Sequence, residues 1–163
     1  MTGEEGLRSR RQPGRNSRPE TADGLPNLQE AEVRLRAATG LPELLSAGFD
    51  AFEVIRVLAR SCEDRAPELF AAFMTTADAA VDGREAITAS PALPSAPGSA
   101  TAATAAAAPP DQVTASLAAL AGLLSERLAL AADLAAEPGD RSACQEAGRA
   151  ARRIGGLMGR GAL

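Results

Sequence analysis

The chain has 163 residues, of which 45% are hydrophobic, and it carries a formal net charge of −4. Alanine accounts for 38 of the hydrophobic residues, whereas Leu, Ile, Val and Phe together number only 31, so the sequence supports a core of modest size. All 17 basic residues are arginine and histidine is absent, which excludes Ser-His-Asp and Cys-His catalysis and zinc sites with imidazole ligands.

The abundance of alanine, with few β-branched or aromatic residues, favours helices over strands. We expect an all-α protein, a small helical bundle built from a helical hairpin and a second helix pair. Four segments follow from composition: a disordered Arg-rich tail (1–26), the hairpin region (27–88), an Ala/Pro/Ser linker (89–110), and a long Leu-rich helix with a basic C-terminal helix (111–163).

The N-terminal tail has no hydrophobic run and is rich in Gly, Pro, Arg and Ser, which predicts disorder. Its arginine cluster, with Arg8, Arg10 and Arg11, is a candidate contact for nucleic acid or an acidic surface. Because the cluster contains no aromatic residue for stacking on bases, a flexible tail is the favoured interpretation.

The hairpin contains all four phenylalanines, in two pairs with i, i+3 spacing that places both rings of a pair on one helix face. A short polar link, 63–66, separates the two helices, and Gly83 either ends the second helix or lies in its frayed last turn. A shorter helix, 27–38, precedes them with Asn27 as its N-cap. The predicted core of the hairpin is Phe49, Phe52, Ile55, Leu58, Phe70 and Phe73.

The join at 35–42, LRAATGLP, partly matches the centre of a helix-turn-helix motif. A recognition helix starting at Pro42 would present Glu43, Asp50 and Glu53, and carboxylates repel phosphates. The sequence therefore favours a tight turn between two packed helices at this join.

Beyond the linker, Asp111 is the predicted N-cap of a helix that runs to about residue 137, where Pro138 and Gly139 break it. Its core stripe is Leu117, Leu120, Leu124 and Leu128. Either the hairpin or a second copy of the chain must cover this stripe. Because Glu126 and Arg127 interrupt the apolar run, we expect no transmembrane segment.

Ser142 and Gln145 form a capping box for a last helix that presents Arg149, Arg152 and Arg153. These arginines are candidate contacts for nucleic acid, an acidic surface or lipid headgroups. The alternatives are a frayed helix that docks by its alanine side, or charge pairing with the acidic region 21–90 inside the fold.

The two cysteines, Cys62 and Cys144, lie on apolar stripes and are expected to be buried free thiols. With no phosphate loop, dinucleotide fingerprint or metal-ligand spacing, we expect no cofactor and no metal. The sequence thus predicts a non-enzymatic, cytoplasmic interaction or scaffold protein with a protein partner or a homo-oligomeric form. The alternative is a nucleic-acid-associated regulator that uses the arginine-rich termini.

Overall fold

The computed structural model describes residues 25–95 and 108–161, which form an all-α fold. The helices are α1 (Pro26–Ala37), α2 (Leu41–Cys62), α3 (Phe70–Thr88), α4 (Pro110–Leu134) and α5 (Pro138–Gly161). A single 3₁₀ turn, Pro67–Leu69, leads into α3. The predicted fold class is confirmed, and the linker and tail predictions at 96–107 and 1–24 lie outside the described residues.

Proline, rather than a capping side chain, marks the helix starts. It occupies the first or second position of α1, α2 and α4, where its missing N–H costs nothing because that group has no partner inside the helix. The residues predicted as N-caps, Asn27, Asp111 and Ser142, all lie inside helices, so those cap assignments are wrong. In particular, Pro138 starts α5 four residues earlier than the predicted capping box.

Four helices form an antiparallel bundle in which α2 neighbours α3, α3 neighbours α5, α5 neighbours α4, and α4 neighbours α2. Close approaches show the directions. Gly48 and Gly83 of the first pair face Ile87 and Phe52, while Gly148 and Gly155 of α5 face Leu128 and Ala121 of α4. In both pairs, residue numbers rise on one helix as they fall on the other, as in an antiparallel hairpin.

The chain between α3 and α4 joins opposite ends of this bundle. At one end, Ser90 donates a hydrogen bond to Asp140 in the first turn of α5. At the other end, Arg65, in the turn between α2 and α3, donates to the Ala108 carbonyl just before α4. In the bundle, α4 lies beside α2 and α5 lies beside α3.

The core lies between the four helices, and α1 covers one side of α2 and α4. Eight residues that the sequence placed in the core have almost no solvent exposure: Phe52, Ile55, Leu58, Phe73, Leu117, Leu120, Leu124 and Leu128. The Leu stripe of α4 is therefore covered within one chain, by α2 and α5, among the described residues.

Two of the four phenylalanines differ from the prediction. Phe70 is 43% exposed because α3 begins there and its first turn extends past the packed part of α2, so its core assignment is wrong. Phe49 is only partly buried, at the edge of the core, with the Arg84 guanidinium 5.8 Å from its ring centroid. Gly83 neither ends α3 nor lies in a frayed turn, since the helix continues to Thr88.

Among the described residues, only α4 is long and apolar enough to cross a membrane, judged by its length and its mean hydropathy of 1.4. In the bundle, nine residues of α4 are buried, and they form the stripe that packs on α2 and α5. A single helix of this kind is weak evidence for a membrane span, so no clear transmembrane span is present in this part of the chain.

Candidate interaction surface

The outer face of α5 carries five exposed arginines. Because α5 buries Ala147, Ala151, Ile154 and Met158 at i, i+3 and i+4 spacing, the arginines are left on the opposite face. We call this set, which is Arg141, Arg149, Arg152, Arg153 and Arg160, the arginine face.

Within the described part of the chain, the arginine face has no acidic partner. Every ion pair there lies in α1, α2, α3 or the turn after α2, as in the pairs of Arg34 with Asp50 and of Arg84 with Glu53. Arg141 donates to the Ala135 carbonyl, but the other four guanidinium groups make no hydrogen bond to residues 25–95 or 108–161. The predicted internal pairing of this helix with the acidic region is therefore not found among these residues.

A groove of about 460 Å³ lies between α4 and α5, along the edge of the arginine face. Its floor contains Leu128, Ala132 and Cys144, and its α5 side includes Gly148, whose missing Cβ leaves the groove open. The remaining lining residues are polar or small, namely Ser125, Ala129, Asp133, Gln145, Arg149 and Arg152. Two of the predicted arginines thus lie at the rim of an apolar-floored groove.

A second cleft, of about 490 Å³, lies between α1 and α2. Its walls are mostly alanine and proline, from Ala37, Ala38, Pro42, Ala47 and Pro94, with Arg34, Glu43, Ser46 and Asp50 as its polar groups. A volume of this order is typical of sites for small ligands.

Asp50 is the buried acid of this cleft, at 5% exposure. Its Oδ2 accepts a hydrogen bond of 2.9 Å from Arg34, whereas Oδ1 is buried and has no partner among the described residues. Burial raises the pKa of the Asp50 carboxyl above its usual range, and the adjacent Arg34 opposes that rise only in part. The sequence placed Asp50 on the outer face of α2, because that periodicity does not show that α1 packs over this side.

A contrasting acid, Glu53, lies one turn away on α2. It accepts hydrogen bonds from Arg56, at 2.6 and 3.1 Å, and from Arg84 of α3, at 2.5 Å. The hydrogen bonds from Arg56 hold the pKa of Glu53 below its usual range, against a smaller opposing effect of burial. The two acids therefore differ in environment: Glu53 is satisfied by two arginines, and Asp50 is only half satisfied by one.

The structure brings together the predicted residues Arg149, Arg152 and Arg153, all exposed on one helix. Arg8, Arg10 and Arg11 lie outside the described residues. Sequence reasoning missed Asp50 and the groove at Gly148. One signal could have indicated that Asp50 is buried. Arg34 and Asp50 are of opposite charge and lie on two helices joined by a short turn, which folds α1 back onto α2.

Both cysteines are free and buried. Burial, with a smaller contribution from the Asp140 carboxylate, raises the pKa of Cys144 to about 11, so its thiol stays protonated at neutral pH. In residues 25–95 and 108–161, no three His, Cys, Asp or Glu side chains lie together as a metal site would require.

Comparison with protein-family models, with curated proteins and with solved structures found no match to this chain.

Proposed function

We propose that the protein is a non-enzymatic interaction module that binds an acidic helical segment of a partner protein along the arginine face and the α4–α5 groove. The observation that carries this proposal is the set of exposed guanidinium groups on α5 without acidic partners, while the ion pairs of the described chain lie elsewhere. In this proposal the protein acts in the cytoplasm, as its sequence led us to expect.

The α4–α5 groove also supports this proposal. A partner helix needs an apolar floor for its buried face and polar rims that fix its orientation. Leu128, Ala132 and Cys144 provide that floor, and Arg149 and Arg152 provide a basic rim. Arginine is enriched at interfaces because its planar guanidinium pairs with carboxylates in a bidentate geometry.

Nucleic acid is the alternative ligand for the same arginines. Against it, α5 contains no aromatic residue on which a base could stack, and the acids Glu146 and Asp133 lie near the arginines. A phosphate backbone would meet these carboxylates, whereas an acidic helix can place its own carboxylates only where the arginines lie.

The test compares the binding of the full chain to two probes: an alanine-rich helical peptide with glutamates at i, i+3 and i+4, and a single-stranded DNA oligonucleotide. We expect saturable binding of the peptide, and Arg152→Glu should weaken it by at least about tenfold, or about 1.4 kcal/mol. Filling the groove with Ala129→Leu, at an exposed position of α4, should also weaken it.

The matched control is Arg36→Glu, a charge reversal on α1 at an exposed arginine whose ion pair within the described part of the chain is a 3.5 Å contact with Glu32. It should leave peptide binding unchanged. Equal losses in Arg152→Glu and Arg36→Glu would show only a general charge effect, and tighter binding of the DNA would replace the proposal with the nucleic-acid alternative.

A further inference from the structure

The two walls of the α4–α5 groove carry opposite charge. The α4 wall presents one charged side chain, the exposed Asp133, whereas the α5 wall presents Arg149 and Arg152. Within residues 25–95 and 108–161, none of these three side chains takes part in an ion pair, either with one another or with other residues. A ligand that fills the groove therefore meets a negative charge on one side and positive charges on the other.

The opposite charges also lie at different levels along the groove. Gly148 of α5 faces Leu128 of α4, and the Arg152 guanidinium lies at this level, since its Nη1 is 3.8 Å from the position that a Cβ on Gly148 would take. Asp133 follows Leu128 along α4 by about 7.5 Å, at a rise of 1.5 Å per residue. The acid therefore lies toward the α4–α5 turn, roughly one and a half helical turns from the Arg152 charge.

The floor between the walls is apolar, with Leu128, Ala132 and Cys144. A helix that lies in the groove turns its apolar stripe to this floor, so its two flanks meet different walls. Carboxylates on the flank that faces α5 would pair with the arginines through charge-assisted hydrogen bonds. On the flank that faces α4, a carboxylate would be repelled by Asp133 and a cation would be attracted to it.

We propose, building on the function proposed above, that the partner helix carries carboxylates on the flank that faces α5 and a lysine or arginine on the flank that faces α4, opposite Asp133. Reversing the direction of a helix whose apolar stripe stays on the floor exchanges its two flanks. The opposite charges of the walls therefore also fix the direction of the partner helix, which binds in a single orientation.

Asp133 is the selecting residue in this arrangement. A helix that is acidic on both flanks would place a carboxylate beside Asp133, and juxtaposed like charges are a means by which an interface rejects a wrong partner. The class of partner narrows accordingly, from any acidic helix to one with an acidic flank and a basic flank.

The test measures the binding of the full chain to two helical peptides that share a leucine stripe for the floor. The two-sided peptide has glutamates on one flank and lysines on the other, and the all-acidic peptide has glutamates on both. We expect the two-sided peptide to bind about three- to tenfold more tightly, because one or two repulsive contacts at an exposed rim become attractive. In Asp133→Lys this preference should reverse.

The matched control is Glu126→Lys, the same charge reversal at an exposed position of α4 that does not line the groove. It should keep the preference for the two-sided peptide, and a reversal there as large as in Asp133→Lys would show only a general charge effect and overturn the proposal. Equal binding of both peptides by the unmodified chain would also overturn it, while leaving the proposed function standing. Binding of neither peptide would overturn both.

A nitroxide at the N-terminus of the two-sided peptide tests the direction of binding. It should broaden backbone amide signals at one end of α5 only, either at Gly139 or at Gly159. Broadening of equal strength at both glycines would show that both directions are populated and would contradict the single orientation.

Discussion

The ring of Phe52 occupies the space that a side chain at position 83 would need. Phe52 is fully buried, and a Cβ built on Gly83 would lie 2.3 Å from its Cζ and 2.4 Å from its Cε1. Such distances are far inside van der Waals contact, and both the ring and the helix backbone are rigid. Glycine is therefore required at position 83 by the close approach of α2, although glycine is a poor helix former.

Replacing Gly83 by alanine should destabilise the protein by at least about 2 kcal/mol, because overpacking against Phe52 outweighs the gain in helix propensity. The matched change, Gly122→Ala on α4, has nothing within 4 Å of the new methyl group and should stabilise by about 0.5–1 kcal/mol. Urea unfolding with an unchanged m-value measures both. A neutral Gly83→Ala would mean that Phe52 does not lie against α3.

The acids Glu53 and Asp50 should affect stability with opposite pH dependence. The folded pKa of Glu53 lies below 4.5, so its stabilising contribution is present above that pH and is lost as the pH falls through the folded value. The folded pKa of Asp50 lies above 3.8, so folding favours its protonated form. Its stabilising contribution is full below 3.8 and is lost as the pH rises through the folded pKa.

Stability curves of two variants against pH test this pair. The cost of Glu53→Gln should be greatest at neutral pH and should shrink as the pH falls below 4.5. The cost of Asp50→Asn should instead be greater in acid than at neutral pH. Parallel curves for the two variants would contradict the environments assigned to these acids.

At the scale of the element, the sequence predicted which helix faces are buried better than it predicted where helices end. The stripes of α2 and α4 follow from i, i+3 and i+4 spacing, and burial of Phe52 and Leu124 agrees with them. The starts were placed wrongly because prolines replace the expected capping side chains. Phe70 was misplaced for a related reason, since its burial depends on where α3 begins relative to the end of α2.

The first turn of α5 makes a contact between distant parts of the chain that periodicity cannot indicate. Asp140 is buried in the first turn of α5, and its Oδ1 accepts hydrogen bonds from the Ser90 hydroxyl, at 2.5 Å, and from the Ala92 amide, at 3.2 Å. Its position at a helix N-terminus also favours a negative charge. This contact ties the segment after α3 to α5.

We expect Asp140→Ala to cost about 1–3 kcal/mol, because it leaves the Ser90 hydroxyl and the Ala92 amide without their acceptor. Asp140→Asn, which retains an oxygen acceptor, should cost less. Hydrogen exchange at the Ala92 amide should accelerate in Asp140→Ala. The control, Asp133→Ala at an exposed position of α4, should change stability by no more than about 0.5 kcal/mol.

At the scale of the whole molecule, the sequence left two covers open for the Leu stripe of α4: the hairpin or a second chain. Composition and periodicity are the same in both cases, because they specify an apolar face and not its partner. In the structure, α4 packs against α2 of the same chain. The same arrangement turns α5 so that its alanines pack inward and its arginine face points outward, which is the basis of the proposed function.

The most direct test of this account is the dependence of unfolding on protein concentration. If the bundle of α2, α3, α5 and α4 forms within one chain, the urea midpoint should stay constant over about a hundredfold range of concentration. Leu124→Ala, at a fully buried position, should then lower the free energy of unfolding by about 2–5 kcal/mol at every concentration. A midpoint that rises with concentration would show that a second chain covers α4, and would contradict both the bundle and the free arginine face.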